Sequence, residues 1–170
     1  MDIKTVTDPA LAPVFASLGA VSFTQTFGHL YKSEDLHAFL ETSHHVDLYG
    51  RLLRDPAFCL WLVMDDGEAV GYAVCGPSDL PVPNPPPNSG ELCRLYMVQS
   101  AQGQGLGDQL LTQCMTWLKA HFDHIFLSVY AENIRAQKLY TRFGFKKVHD
   151  YHYMVGNHAD PEWIMRWFGG

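Results

Sequence analysis

The stretch Gln102-Gly103-Gln104-Gly105-Leu106-Gly107 stands between an apolar run, Leu92 to Val98, and an amphipathic run, Leu106 to Phe122. A strand that feeds a glycine-rich turn and then a helix aims several backbone N–H groups at one point, and the helix dipole adds partial positive charge there. Such an arrangement cradles a pyrophosphate. Glycine suits it because the backbone must approach the phosphate oxygens closely and visit positive φ, which a Cβ hinders. Taken alone, a Gly-x-Gly pair is equally well explained as a tight turn. Gly103, Gly105 and Gly107 alternate, so they do not spell Gly-x-Gly-x-x-Gly, and no Gly-Lys-Ser/Thr follows. The two familiar nucleotide-binding patterns are therefore absent.

Working outward, Glu91 to Val98 reads as a central strand that delivers the chain to the turn. In the helix that follows, Gly107, Leu110, Leu111, Cys114, Leu118 and Phe122 share one stripe. Asp108 in its first turn suits the dipole but brings negative charge toward a phosphate, so it is expected to point away. Ile125 to Tyr130 reads as a buried strand. Asn133 then opens a shorter helix that Gly144 ends, with Ala136, Leu139, Tyr140 and Phe143 on one face and Arg135, Lys138 and Arg142 on the other. By spacing alone Tyr140 is a core residue and the three cations form a solvated face.

Two blocks carry a resemblance. Gln102, Gly105 and Gly107 fit Gln-x-x-Gly-x-Gly, and Asn133, Ala136, Tyr140, Gly144 and Phe145 fit Asn-x-x-Ala-x-x-x-Tyr-x-x-x-Gly-Phe. In this order, with a strand between them, they resemble the acyl-CoA-binding blocks of the GNAT superfamily of N-acetyltransferases. The resemblance implies acetyl-CoA as co-substrate, held by Met97, Val98, Gln102, Gly103, Gln104, Gly105, Leu106, Gly107, Asn133, Ala136 and Tyr140. It implies backbone contacts from Met97 and Val98 to the pantetheine arm, with the Val98 N–H steadying the thioester oxyanion. Asn133 would bond the cofactor arm, and Tyr140 would protonate the departing thiolate. Glu91, at the start of the strand, would act directly or through water as the base that deprotonates an ammonium. The first position of the glycine block is more often basic in the family, so Gln102 implies a weaker hold on the pyrophosphate. Arg135 and Lys138 are candidates to help hold phosphates.

The rest of the chain fits one domain spanning residues 1–170. Ile3 to Val6 reads as a strand, Ala10 to Leu30 as a helix with a break near Gly19 or Gly28, and Ser33, as N-cap, opens a second helix that runs, with an interruption, as far as Leu53. Phe58 to Met64 and Ala69 to Cys75 flank Asp66-Gly67, a hairpin signal. Residues 76–88 hold six of the ten prolines and read as a loop. Phe145 to Tyr153 and Trp163 to Trp167 read as two last strands joined across Gly156 to Pro161. The expected fold is thus α/β (α+β), a mixed and mostly antiparallel sheet of about seven strands flanked by about four helices. Phe23-Thr24-Gln25-Thr26-Phe27, with Glu34-Asp35-Leu36 and Phe39-Leu40, is similar to the N-terminal region of bacterial polyamine (spermidine/spermine) acetyltransferases, where the first helices rim the acceptor pocket. Phe15 and Phe39 are expected in the core.

Composition sets further bounds. A hydrophobic content of 47% describes a globular chain, and a net charge of −6 argues against nucleic acid while leaving cationic amines open as ligands. Cys59, Cys75, Cys93 and Cys114 lack Cys-x-x-Cys spacing and are expected as reduced thiols. His149, His152 and His158 lack the spacing of a metal site, and His44-His45 reads as a solvated pair at a helix end, with either of them a further candidate to line the acceptor pocket. No signal core is seen and no run reads as long enough to span a bilayer, so no membrane association and a cytoplasmic location are expected. Three functions fit: acetylation of a small amine, acetylation of a protein N-terminus or lysine, or acyl-CoA sensing without catalysis. A homodimer is compatible with the aromatic C-terminal strands.

Overall fold

In the computed structural model, which describes residues 1–169, β1 (Asp2–Val6), β2 (Cys59–Asp65), β3 (Glu68–Pro77), β4 (Ser89–Met97), β5 (His124–Tyr130), β6 (Phe145–Val155) and β7 (His158–Trp167) form one sheet. Its strand order is β1-β2-β3-β4-β5-β7-β6. Every neighbouring pair is antiparallel except β4 with β5. The helices are α1 (Ala12–Phe27), α2 (Ser33–Ser43), α3 (Val46–Arg54), α4 (Leu106–His121) and α5 (Ile134–Arg142). The sheet and its helical flanks match the expected α/β architecture, and the interruption foreseen before Leu53 falls at His44-His45, dividing α2 from α3.

Local chemistry explains the joints. Asp66 and Gly67 both take positive φ, 46° and 85°, as a two-residue hairpin turn with right-handed twist requires. The β6–β7 hairpin is longer than the sequence suggests, because β7 begins at His158 and contains Pro161. Pro161 is tolerated there because its carbonyl, bonded by the Ala131 N–H, faces the side where β5 pairing has ended at Glu162. Its missing N–H therefore removes no ladder bond. Ser33 is the first residue of α2 and not its cap: Lys32 holds the cap position without a side-chain bond.

Helices α4 and α5 cover one face of the sheet, where Leu110, Leu111, Cys114 and Leu118 are enclosed with Trp61, Val63, Leu92, Ile125 and Leu127. On the other face α1 and α3 bury Phe15 and Tyr49 against Leu60, Tyr72 and Val74. A third cluster joins Phe23 and Phe39 to Val155 of β6. Gly19 does not break α1, since the helix continues to Phe27. One expectation is corrected here. Pro9 to Leu30 contains no Asp, Glu, Lys or Arg and is by length and hydropathy (mean 1.3) sufficient to cross a bilayer. In this fold it is the helix that seals one side of the sheet, with Phe15, Leu18 and Phe23 turned inward. All four cysteines are free thiols.

Two irregularities in β4 position the site. Its parallel pairing with β5 runs only from Ser89↔His124 to Leu92↔Leu127, after which the strands separate. Its register with β3 shifts between Arg94 and Leu92, leaving Cys93 as an extra residue. A bulge of this kind reverses the alternation of side chains. Leu92 therefore joins Leu95 and Met97 on the α4 face, and Glu91 shares the opposite side of the strand with Arg94 and Tyr96.

Leu110 is wholly enclosed beneath α4. Leu110→Ala is expected to lower stability by about 2–5 kcal/mol, seen as a lower urea midpoint with an unchanged slope.

Candidate functional site

The separation of β4 from β5 opens a cleft of about 950 Å³ that crosses the molecule from the glycine turn to the aromatic residues of α1 and β6. Gly103 (φ 81°) and Gly105 (φ 76°) are left-handed, and Gly105 precedes the first turn of α4. Glycine is required at both by conformation alone, for an added Cβ would meet nothing within 4 Å at Gly105 and only Arg135 Nη2, at 3.8 Å, at Gly103. At Gly107 it would meet only Leu139 at 3.8 Å. The space over the turn is therefore open, and the first intrahelical bond of α4 is Gln109 N–H to Gly105 C=O. The N–H groups ahead of Gln109 are left for an anion. This cradle fits a pyrophosphate.

Two arginines complete it. Arg135 Nη1 donates to Gln102 Oε1 at 2.8 Å, while Gln102 Nε2 donates to Met97 C=O at 3.2 Å. The positive charge that Gln102 lacks is thus brought to the same place by α5. Arg142 holds both oxygens of Asp108, at 2.7 and 2.9 Å, and offsets its charge, although Asp108 still lines the cleft. Met97, Gln102, Gly103, Gly105, Gly107, Asn133, Ala136 and Tyr140 all line the cleft. Gln104 instead donates to Ser100 C=O, and the Leu106 side chain is in the core, so these two offer only backbone. Asn133 Oδ1 accepts from Ala136 N–H and caps α5, which leaves its amide NH₂ for a ligand.

The expectation for Val98 is corrected by the sheet register. Val98 N–H donates to Val70 C=O at 2.9 Å and is engaged within the sheet. Successive residues of an antiparallel strand turn their backbone groups to alternate sides. Tyr96 therefore faces β3 as Val98 does, and Leu95 and Met97 face the side that β5 has left. Both line the cleft. The Leu95 N–H, which the sequence did not single out, faces the side that β5 has left.

Tyr140, 8% exposed, reaches the cleft from α5, and burial raises its pKa, so the phenol stays protonated. Glu91, also 8% exposed, stands beside the last paired residue of β4, at the apex of the opening. Ser78 Oγ donates to it at 3.3 Å. Burial, with Asp79 adding to it, pushes its pKa up to about 7. A second carboxylate was not legible as a site residue: Glu162 on β7 accepts from Ser128 Oγ at 3.1 Å, and burial, then Asp160, pushes its pKa up to about 7. Asp79 and Asp160 also line the cleft, among Phe23, Phe27, Tyr31, Phe39, Tyr151 and Tyr153. The only signal for the pair Asp160 and Glu162 is their spacing of two, hidden in a segment that reads as a loop.

Arg94 lines the same half, but its Nη1 donates to Ser43 C=O and Tyr49 Oη, both at 2.6 Å, and lies 3.1 Å from His44 Nδ1. His44 is accordingly buried and not solvated. Burial and the Arg94 charge lower its pKa to about 3, so it is neutral and able to accept. His45 instead accepts from Asp47 N–H and caps α3.

Residues 23–145 match the model of the acetyltransferase (GNAT) family. The chain is 26% identical over 158 residues to an uncharacterised N-acetyltransferase of Lactobacillus delbrueckii subsp. lactis, covering 91% of this chain and 90% of the relative. It is 28% identical over 120 residues to the spermine/spermidine N(1)-acetyltransferase of Bacillus subtilis, covering 66% and 78%. Among solved structures, the PaiA N-acetyltransferase of Thermoplasma acidophilum in complex with coenzyme A superposes with a TM-score of 0.75 at 16% identity, over 98% of this chain and 99% of that one. A ribosomal-protein-alanine N-acetyltransferase from Brucella melitensis shares the fold too, at a TM-score of 0.67 and 20% identity over 98% of both chains. A match over most of the chain, with a cradle that fits a pyrophosphate, makes this protein a member of the GNAT family and an acetyl-CoA-dependent N-acetyltransferase.

Proposed function

We propose that the acceptor is a small, cationic, polyamine-like molecule, acetylated on a primary amine by direct transfer in a ternary complex. One observation carries this reading: four carboxylates, Asp79, Glu91, Asp160 and Glu162, converge on an aromatic-walled half of the cleft in which Arg94 is tied back to α2 and α3. Acids among aromatic faces, two of them, Glu91 and Asp160, buried, favour an organic cation, by charge and by cation–π contact. The similarity to a spermine/spermidine acetyltransferase supports the same substrate class.

The geometry supports the following division of labour. Acetyl-CoA supplies an activated thioester. The glycine turn, with Arg135, holds the phosphate end, and the vacant edge of β4 offers backbone partners to the arm. Holding amine and thioester together replaces a bimolecular encounter with a positioned one. Glu91, with a pKa of about 7, accepts the ammonium proton at neutral pH, directly or through water. Leu95 N–H donates to the developing oxyanion, a contribution of ~3 kcal/mol for a well-placed donor. Tyr140 protonates the departing thiolate.

CoA release should be measured with spermidine, spermine, simple monoamines and short peptides as acceptors. Turnover of polyamines is expected, with kcat lowered ~10²-fold or more in Tyr140→Phe. Turnover restricted to peptides would replace the small-molecule reading with protein acetylation.

Glu91→Gln tests the base on two axes. The rise of kcat/KM with pH near 7 should lose its Glu91 contribution, with a rate loss of ~10²-fold or more. Because the folded carboxyl binds its proton more tightly than the unfolded one, the ionised Glu91 destabilises the fold above pH 7. The glutamine variant should therefore be more stable at pH 8, by up to about 3 kcal/mol, with the gain fading as pH falls toward the ordinary carboxyl range. Urea unfolding at both pH values measures it, and equal stabilities at pH 8 would refute the buried charge.

A further inference from the structure

Asp160 on β7 is 3% exposed yet borders the cleft. Its Oδ2 accepts a hydrogen bond from Tyr31 Oη. Its Oδ1 has no hydrogen-bond donor: His158 Nδ1 lies 2.8 Å away but is not aligned to donate. Among the described residues no Lys or Arg pairs with Asp160. A buried carboxylate oxygen without a donor is costly, and His158, a cation only when protonated, is the one charged partner beside it among the described residues.

The surroundings specify what would. Asp160 and Glu162, two apart on β7, share one face of the strand. Their cross-strand partners on β6 are Tyr153 and Tyr151, whose side chains border the same space. Tyr31 stacks on Phe23 at a 6.0 Å centroid distance, adding a further aromatic wall. The Asp160–Glu162 pair belongs to β7, whereas Glu91 is on β4 with Asp79 beside it. Acids therefore enter one cleft from different walls, and of these only Glu91 on β4 is needed for deprotonating the reacting amine.

We propose that Asp160, with Tyr31 and Glu162, forms a second subsite that seats a cationic group remote from the amine being acetylated. The acceptor is then a diamine or longer polyamine in which one ammonium is anchored on β7 while another is delivered to Glu91. This inference rests on the small-amine reading above and goes further, because it names the residues that separate diamines from monoamines. Arg94 defines the opposite possibility. It lines the cleft and its side-chain bonds engage Nη1, so an acceptor carrying a carboxylate would find its partner there.

The test compares acceptors of one chain length, n-butylamine, 1,4-diaminobutane and 4-aminobutyrate, for the wild-type protein, Asp160→Asn and Tyr31→Phe. CoA release at saturating acetyl-CoA is paired with calorimetric titration of 1,4-diaminobutane in the presence of CoA. The wild type should favour the diamine. Asp160→Asn should raise KM and Kd for the diamine ~10-fold or more, as loss of a charged partner predicts, and raise the butylamine KM by much less, so that the diamine-to-monoamine preference falls. Tyr31→Phe, which keeps the carboxylate, should shift the diamine the same way by less. Unchanged diamine-to-monoamine ratios in both variants would overturn the subsite while leaving amine acetylation standing, as would preference for 4-aminobutyrate. Diamine binding that is lost in Asp160→Asn, without turnover of any amine, would support the subsite and refute the proposed acceptor reaction.

Discussion

The separation of β4 from β5 after Leu92 and Leu127 is the constraint on which everything else depends. A strand interior whose neighbour has left carries backbone N–H and C=O groups with no partner, an arrangement that a folded chain normally avoids. Here the vacancy is held open by the structure on both sides. β5 is claimed by β7, and β4 is anchored along its other edge to β3, up to and including Val98. Neither strand can swing back to close the gap without breaking an antiparallel ladder. The vacancy is shaped for an extended acyl carrier, and it lies beside a glycine turn whose open N–H groups suit phosphates.

The two ends of the opening have opposite polarity, and each is built by a different kind of group. At the phosphate end the attraction comes from backbone N–H groups ahead of Gln109, reinforced by Arg135, while Arg142 neutralises Asp108. At the acceptor end it comes from side-chain carboxylates set among rings. Burial there raises the pKa of Glu91 and Glu162 to about 7, which suits proton transfer at neutral pH and also destabilises the folded state when they ionise. An ammonium bound beside them, as proposed, would relieve that strain and couple binding to stability through the same carboxylates.

Much of the phosphate end was legible because it is local. The glycine spacing, the stripe of α4 and the Asn133 to Phe145 block all lie within one strand–turn–helix or one helix, and periodicity reports such units directly. Asp66-Gly67 announced its hairpin for the same reason. The acceptor end was hidden. Asp160 and Glu162 flank Pro161 in a segment that reads as a loop, and only the early end of β5 lets a proline sit in β7. His44 reads as a solvated histidine beside His45, until Arg94, fifty residues away, buries it as a neutral acceptor.

The amino-acid sequence by itself determined the order of strands and helices, and the glycine turn with its need for positive φ, each of which follows from patterns within a few residues of one another. That Tyr140 and Glu91 border one cleft was implied only by the family resemblance of the two blocks. Only the tertiary structure decided which backbone groups are free and which side chains converge. The Cys93 bulge reverses the alternation of β4, placing Glu91 on the same side as Arg94 and Tyr96. The register with β3 engages the Val98 N–H and turns that of Leu95 to the cleft. Pairing with β6 and β5 brings Asp160 and Glu162 to the opposite wall. Strand register is a relation between distant segments, and a shift of one residue exchanges the two faces, so periodicity within a single strand does not contain it.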